Sequence, residues 1–362
     1  MSIRLHEYHT TESDPARRGR DIGERFATQI ADAWSDYELL FDLKGLRPAE
    51  AQEFSETTLA RVADWAPALH TELLAMAAGA ERPAWQLAAL TARTELLAQA
   101  GAQSSECTTV VHVPADGAAP RTLQTWDWLE ALAGEGLLAE HPGADGRMLR
   151  YFTEFGTLGK IGVSEAGIGV HFNILHHASD GGAAGIPLHL LVRHVLETAS
   201  SVAEAVAIVE AAPVSASSTI TVASFRDGVA DAAILEVCPA GVAVLPIAPG
   251  ETLAHANSFL DPALAVGDST PEWSNSRDRQ AFFARNARAV QVPDALSRAR
   301  GLATDPSTGE RSVVCLFPDP AGALDMRWES KLTITLELAT PHLEYAIGAP
   351  SAARQDNWHR FP

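Results

Sequence analysis

The feature that most constrains the fold is a change of texture near residue 105. Before it, apolar residues recur at helical spacing. Ile22, Phe26, Ile30 and Trp34 come every fourth residue, which places them on one helix face. Leu59, Val62, Ala66, Leu69, Leu73 and Met76 repeat the pattern, and Pro67 inside that stretch is expected to kink or divide it. Gly79 and Pro83 then punctuate the chain, and Leu87, Leu90, Thr94 and Leu97 predict a third helix.

After residue 105 the residues become β-branched and turn-separated. Thr108-Thr109-Val110-Val111-His112-Val113 predicts a strand that ends at Pro114, and Arg121 to Trp128 predicts a second after an Asp-Gly turn. Arg147–Phe155 is a third. Lys160–Val163 and Gly167–Phe172 flank the turn Ser164-Glu165-Ala166-Gly167 and predict a hairpin. Two helices, Pro187–Ser200 and Val202–Ala211, interrupt the strands. These resume at Ser218–Phe225, Ala232–Val237 and Val242–Pro246. An Arg-rich polar helix over Ser276–Arg288 and strands at Ala323–Trp328 and Leu332–Glu337 complete the reading. No low-complexity linker or internal repeat divides the chain. Strand blocks interrupted by helix pairs predict an α+β architecture of sheets sandwiched by helices, one domain with a helical N-terminal segment.

With 362 residues, 46% of them hydrophobic, a sizeable core is possible. Lys and Arg number 27 against 46 Asp and Glu, a formal charge of −19. Such a chain is repelled by phosphate backbones and anionic lipid, which argues against nucleic acid and membrane partners. No window approaches the ~20 apolar residues of a membrane helix. Met1 to Glu7 has no apolar signal core, so a cytoplasmic location is expected. The three cysteines, Cys107, Cys238 and Cys315, are too sparse for a disulfide framework and lack zinc-site spacing.

Several familiar motifs are missing. Gly162-Val163-Ser164-Glu165-Ala166-Gly167 is one residue too long for a Gly-x-Ser-x-Gly elbow, and hairpin-turn chemistry explains it better. There is no phosphate-binding Gly-x-x-x-x-Gly-Lys and no His-Glu-x-x-His. Gly134-Glu135-Gly136 is only a fragment of a dinucleotide fingerprint. His176-His177 reads as a loop end, since neighbours on a strand point to opposite faces. No cofactor and no metal are expected.

Cys107 stands where helical texture gives way to the first strand, and Asp127 falls at the end of the second. A thiol at a strand head with a carboxylate on the paired strand suits a nucleophile; a structural Cys at a strand end is the alternative. From Ser105-Glu106-Cys107-Thr108-Thr109 onward the chain resembles the acyl-coenzyme A:6-aminopenicillanic acid acyltransferase family of N-terminal-nucleophile (Ntn) hydrolases. Gly19-Arg20-Asp21-Ile22-Gly23 is similar to that family's Gly-rich first helix, and Leu90-Thr91-Ala92-Arg93-Thr94-Glu95-Leu96 to the helix before its nucleophile. Cys107-Thr108 matches its Cys-Thr/Ser pair, and Gln124-Thr125-Trp126-Asp127 approximates its Gln-Asn-Trp-Asp strand. The hairpin that ends in Asn173, the strand Asn257-Ser258-Phe259, the helix bearing Ser276 and Arg279, and Ser312-Val313-Val314-Cys315 continue the likeness. The resemblance covers nearly the whole chain and rests on the order and spacing of these segments together.

The resemblance implies a four-layer αββα Ntn-hydrolase sandwich that cuts itself before the cysteine, between Glu106 and Cys107. Fragments 1–106, the helical segment, and 107–362, the core, would remain together as one structural domain and an αβ heterodimer from one precursor. Cys107 would then carry both the thiol and a free α-amine, whose reference pKa values of about 8.5 and 7.7–8.0 let one serve as base for the other. Asn257 matches the family's oxyanion-hole amide, and Asp127 the carboxylate that orients the amine. Ser276 and Arg279 match a pair near the site, with Arg277 competing for the role of Arg279. Thr109 and Ser218 fall at family hydroxyl positions.

The implied activity is cleavage or transfer of the acyl group of a small N-acyl amide through an acyl-thioester on Cys107, with acyl-coenzyme A as the alternative acyl donor. Three departures bear on this. Residue 106 is Glu where well-known members have Gly, and a carboxylate there should raise the thiol pKa and slow the acyl shift. Thr125 replaces an Asn. Gln124 stands where relatives that cleave bile salts or penicillin V carry Arg, three residues before the Asp, which argues against that branch. The alternative is an uncleaved, catalytically silent Ntn-fold binding protein in which Glu106 blocks maturation.

Overall fold

Helices dominate the chain ahead of Cys107. The computed structural model describes residues 3–102 and 107–362, so Glu106 and its side of the expected scissile bond lie outside the described residues. After strand β1 (Arg4–His9) come α1 (Pro15–Arg25), α2 (Ala27–Leu43), α3 (Pro48–Trp65), α4 (Pro67–Gly79), α5 (Ala84–Thr91) and α6 (Arg93–Gln99). Pro67 divides α3 from α4, as expected, because a proline at a first helical position suits a start and not an interior. The Ile22-to-Trp34 stripe is not one helix. It breaks at Phe26, whose φ of −118° and ψ of 27° leave the helical region. Asp14 caps α1 by accepting from the Arg17 amide at 2.9 Å. Helices α1 and α4 meet backbone to backbone. A Cβ at Gly23 would lie 2.2 Å from the Met76 carbonyl oxygen, so only glycine permits this approach.

The strands that follow are β2 (Thr108–His112), β3 (Arg121–Leu129), β4 (Glu135–Pro142), β5 (Met148–Glu154), β6 (Ile161–Ser164) and β7 (Ile168–Ile174). Helices α7 (Leu188–Thr198) and α8 (Val202–Ala211) intervene. Then come β8 (Ser218–Arg226), β9 (Val229–Cys238), β10 (Gly241–Pro246) and β11 (Thr252–His255). Last are α9 (Ser276–Asn286), α10 (Ala295–Gly301), β12 (Trp328–Glu337), β13 (His342–Ile347) and β14 (His359–Phe361). One sheet has the order β1-β4-β5-β6-β7-β8-β9-β10, the other β11-β2-β3-β12-β13-β14.

The sheets face one another, with β2 against β7 and β12 against β6. Helices α7 and α8 cover the outer face of the first sheet, and α9 and α10 lie against β11 and β3 of the second. The protein is therefore an αββα sandwich. Strand alternation sorts the core. Val111 and Trp126 pack between the sheets with Phe152 and Val163. Val110 and Leu123 point the other way, onto Phe282 and Leu296 of the second helical layer.

Buried charges tie the first helices to the sandwich. Glu72 of α4 accepts from Arg18 of α1 at 2.6 Å and from Arg193 of α7 at 3.1 Å. Burial alone would raise the Glu72 carboxyl, but the two guanidiniums pull it down to about 2.

Candidate active site

The site forms where β2 begins. Strands β2 and β3 pair antiparallel, with Thr108 opposite Thr125. One step further, Cys107 reaches the level of Trp126 and Asp127. Its sulfur donates to the Asp127 carbonyl oxygen at 3.6 Å, and the residue is 4% exposed. The two candidate catalytic groups thus adjoin, although the Sγ contact is to the Asp127 backbone. The Asp127 carboxylate, fully buried, accepts from Thr125 Oγ1 at 3.1 Å.

Asn257 does not sit on a strand, which corrects the sequence expectation. Strand β11 ends at His255, because the next carbonyls are taken by a side chain and not by a neighbouring strand. Asn173 Nδ2 donates to the His255 and Ala256 carbonyls at 2.7 and 3.0 Å. The Asn257 backbone amide donates to Ser276 Oγ at 2.8 Å, and Ser258 Oγ lies 2.8 Å from the same hydroxyl. Ser276 opens α9, so the helix start and the 256–259 loop are locked together.

Arg279, one turn along α9, is fully buried and joins the parts. Its guanidinium donates to the Cys107 carbonyl at 2.7 Å, Thr108 Oγ1 at 2.7 Å, Asn257 Oδ1 at 2.8 Å and Asn275 Oδ1 at 2.6 Å. Arg277 is exposed and lines a groove of about 610 Å³ with Ser258, Phe259 and Gln280; Cys107 does not line it. Between the two arginines, Arg279 is the one at the site. Its bond fixes which end of the Asn257 amide faces which partner. Nδ2 points to the Ile174 carbonyl at 2.8 Å, and its second hydrogen is the one an oxyanion could use.

Thr109 Oγ1 donates to Asn173 Oδ1 at 2.6 Å, and Gln124 Nε2 donates to the same oxygen at 3.0 Å and to the Phe172 carbonyl at 2.6 Å. Asn173 Nδ2 also reaches the Cys107 carbonyl at 3.4 Å. Ser218 opens β8 opposite Ile174 and shares none of these hydrogen bonds among the described residues.

Sequence reasoning did not single out the residues beneath the thiol. Lys160 is 4% exposed, and its amine lies 4.4 Å from the centroid of the Trp126 ring and 5.3 Å from that of Phe172. It donates to Glu154 Oε2 at 2.6 Å; Arg93 pairs with the same oxygen, and Tyr37 donates to Oε1 at 2.8 Å. Burial lowers Lys160 to about 8 against the opposing pull of Glu154. Its sequence context, Gly159-Lys160-Ile161, carried only a hairpin signal. Glu236 and His255, both fully buried, form a second unanticipated pair, 2.6 Å apart. Glu236 also accepts the Leu260 and Asp261 amides at 2.5 and 2.9 Å, anchoring the far side of the Asn257 loop.

No group of His, Cys, Asp and Glu among the described residues is arranged to hold a metal ion. No helix of the described residues is long and apolar enough to cross a membrane.

The site is thus a two-sheet sandwich with a cysteine at a strand head, an amide-bearing loop beside it and an arginine bridging them. A sequence model of the acyl-coenzyme A:6-aminopenicillanic acid acyl-transferase family matches residues 118–319, more than half of the chain, and the chain belongs to that family. The 40 kDa form of acyl-coenzyme A:6-aminopenicillanic-acid-acyltransferase from Emericella nidulans is 33% identical over 138 residues. That match spans 37% of this chain and 37% of the relative's length. Among solved structures, penicillin V acylase from Agrobacterium tumefaciens superposes with a TM-score of 0.41 at 16% identity, over 67% of this chain and 83% of that one. The N-acylethanolamine-hydrolyzing acid amidase ortholog of Caenorhabditis elegans gives 0.41 at 13% identity, over 71% and 100%.

Proposed function

We propose that this protein is a self-processing cysteine amidohydrolase or acyltransferase that carries the acyl group of a small N-acyl amide on Cys107. The observation that carries the reading is the Arg279 bridge. One buried guanidinium holds both the Cys107 carbonyl and the Asn257 amide, so the nucleophile and the candidate oxyanion donor keep a fixed relation.

The chemistry follows from those positions. In the uncut chain the Cys107 sulfur attacks the carbonyl carbon of residue 106; the peptide C–N bond breaks, and water hydrolyses the resulting thioester. Fragments 1–106 and 107–362 result, and Cys107 gains a free α-amine, beside which Asp127 stands. That amine then takes the thiol proton, and the thiolate attacks the substrate's acyl carbon. The Asn257 Nδ2–H stabilises the oxyanion, a contribution of about 3–4 kcal/mol for a preorganised donor. Collapse of the intermediate expels the amine, which takes the proton held by the Cys107 ammonium. Water, or a second amine in the transfer variant, then releases the acyl group. Burial of Cys107 in the described chain suits a precursor whose thiol is covered until the cut.

The test is intact mass and N-terminal sequencing of purified protein, with Cys107→Ala in parallel. Wild type is expected as two polypeptides, the larger starting at Cys107, with amide-cleaving activity. The variant is expected as one inert chain. An uncut wild-type protein without activity would favour the silent binding protein, and an active Cys107→Ala variant would reject the nucleophile.

A further inference from the structure

The cluster beneath Cys107 is unusual in its charge balance. Two cations, Arg93 of α6 and Lys160 at the head of β6, share a single carboxylate, Glu154 at the end of β5. None of the three is more than 4% exposed. Among the described residues, the remaining groups on the surrounding elements add no full negative charge below pH 7. Tyr37 of α2 donates its hydroxyl to Glu154, and burial drives its pKa well up. His189 of α7 packs edge-on to Phe172, and burial, with Arg93 and Lys160 adding to it, keeps its imidazole neutral. Glu95 of α6 is pushed up to about 7 by burial, so it is mainly protonated below that pH. Isolated buried charge is costly, so an excess of one cation calls for an anion nearby.

The position of Cys107 supplies one. Its residue adjoins Trp126, whose ring lies over the Lys160 amine, and packs in the same buried apolar cluster. On the other side of the strand Arg279 holds the Cys107 carbonyl, while the Asp127 carboxylate belongs to the opposite face of β3 from Trp126. We propose that Lys160 acts through the Cys107 thiol, its buried ammonium stabilising the thiolate as the missing counter-charge. This deepens the proposed function and rests on Cys107 being its nucleophile. The interaction is reciprocal: a negative sulfur at Cys107 favours the protonated form of Lys160. Lys160 thus makes the sulfur ionise at lower pH without touching the substrate. The thiol proton goes to solvent in a titration and to the α-amine of Cys107 in turnover.

The experiment is a pH titration of thiolate absorbance near 240 nm, taken as the difference between each protein and its Cys107→Ala counterpart. This readout does not require the sulfur to be accessible. Wild type should ionise below the ~8.5 of a free cysteine. Lys160→Met should raise the midpoint by at least one pH unit, a tenfold change in thiolate fraction on the acid side, while Lys160→Arg should keep it low. Thermal melts check folding, and Met suits the aromatic surroundings because it leaves Arg93 and Glu154 as a matched pair. A Lys160→Met midpoint equal to that of wild type overturns the inference even if amide cleavage persists. An active Cys107→Ala variant instead removes the underlying reading, whatever Lys160 does.

Discussion

Replacing Arg279 with Lys keeps a buried positive charge and a long stem but removes the planar fork. The guanidinium holds acceptors on three elements: the Cys107 carbonyl, Asn257 Oδ1 and Asn275 Oδ1. A single ammonium cannot reach all three at hydrogen-bond distance. Each hydrogen bond from a charged donor is worth roughly 1.5–3 kcal/mol, and a buried acceptor left unpaired costs about 1–3 kcal/mol. Losing one or two of these gives a destabilisation of about 3–5 kcal/mol. At roughly 2 °C per kcal/mol for a chain of this size, the melting temperature should fall by about 6–10 °C.

The catalytic effect is separable. Once Oδ1 is released, the Asn257 amide can rotate, and its Nδ2 no longer has a fixed direction. Loss of an oriented oxyanion donor lowers kcat by about 10²–10³. KM should change little, because the ground-state carbonyl does not depend on that donor. The assay is calorimetric melting together with steady-state hydrolysis of an N-acyl amide, on material whose processing has been checked by mass. A variant that melts lower but keeps its kcat would show that Arg279 only braces the fold, and the bridging argument would fail.

Two further outcomes are expected. Glu236→Gln removes the carboxylate that holds His255 and the Leu260 and Asp261 amides; it should lower kcat several-fold more than it raises KM, and an unchanged kcat would detach the pair from the site. Glu95, raised by burial to about 7 from 4.5, is protonated in the folded chain while its unfolded counterpart ionises. Its contribution to stability is therefore full below about pH 4.5 and falls by roughly 2–4 kcal/mol as pH rises toward 7. Urea unfolding at pH 5 and pH 7 should show that slope in wild type and a flatter one in Glu95→Gln, and equal slopes would refute it.

The strands next to Cys107 were legible because their alternation and turns are local. The hairpin of β6 and β7 was expected from Ser164 to Gly167 and is found there. What stayed hidden depends on distant partners. Strand β1, Arg-Leu-His-Glu-Tyr-His, is polar on its own and becomes a strand by pairing parallel to β4, far along the chain. Separate strands are expected at Ala323–Trp328 and Leu332–Glu337, with Glu329-Ser330-Lys331 between them, whereas β12 runs from Trp328 through that segment. The structure absorbs it as a bulge between Ser330 and Leu332, with Lys331 donating to the Glu130 carbonyl at 2.9 Å. Ahead of it, Leu324–Met326 is a short 3-10 turn, not a strand. At the site, the residue types were legible but the wiring was not. Arg277 and Arg279 are equivalent as letters, and only the turn of α9 decides which one is buried. The Lys160 and Glu236 clusters gave no signal, since their partners come from separate elements.

The parallel ladder from Arg4–Glu135 to His9–Glu140 has a consequence for the life of the molecule after any nick ahead of Cys107. The shorter piece would own an outer strand of the larger piece's sheet, and its Glu72, itself held by Arg18, would still accept from Arg193 across the break. Pulling it away would bare one edge of β4 and leave Arg193 with Glu197 alone of its two carboxylate partners. The severed leader would stay seated like a keystone, and neither piece could reach the working shape without having folded against the other.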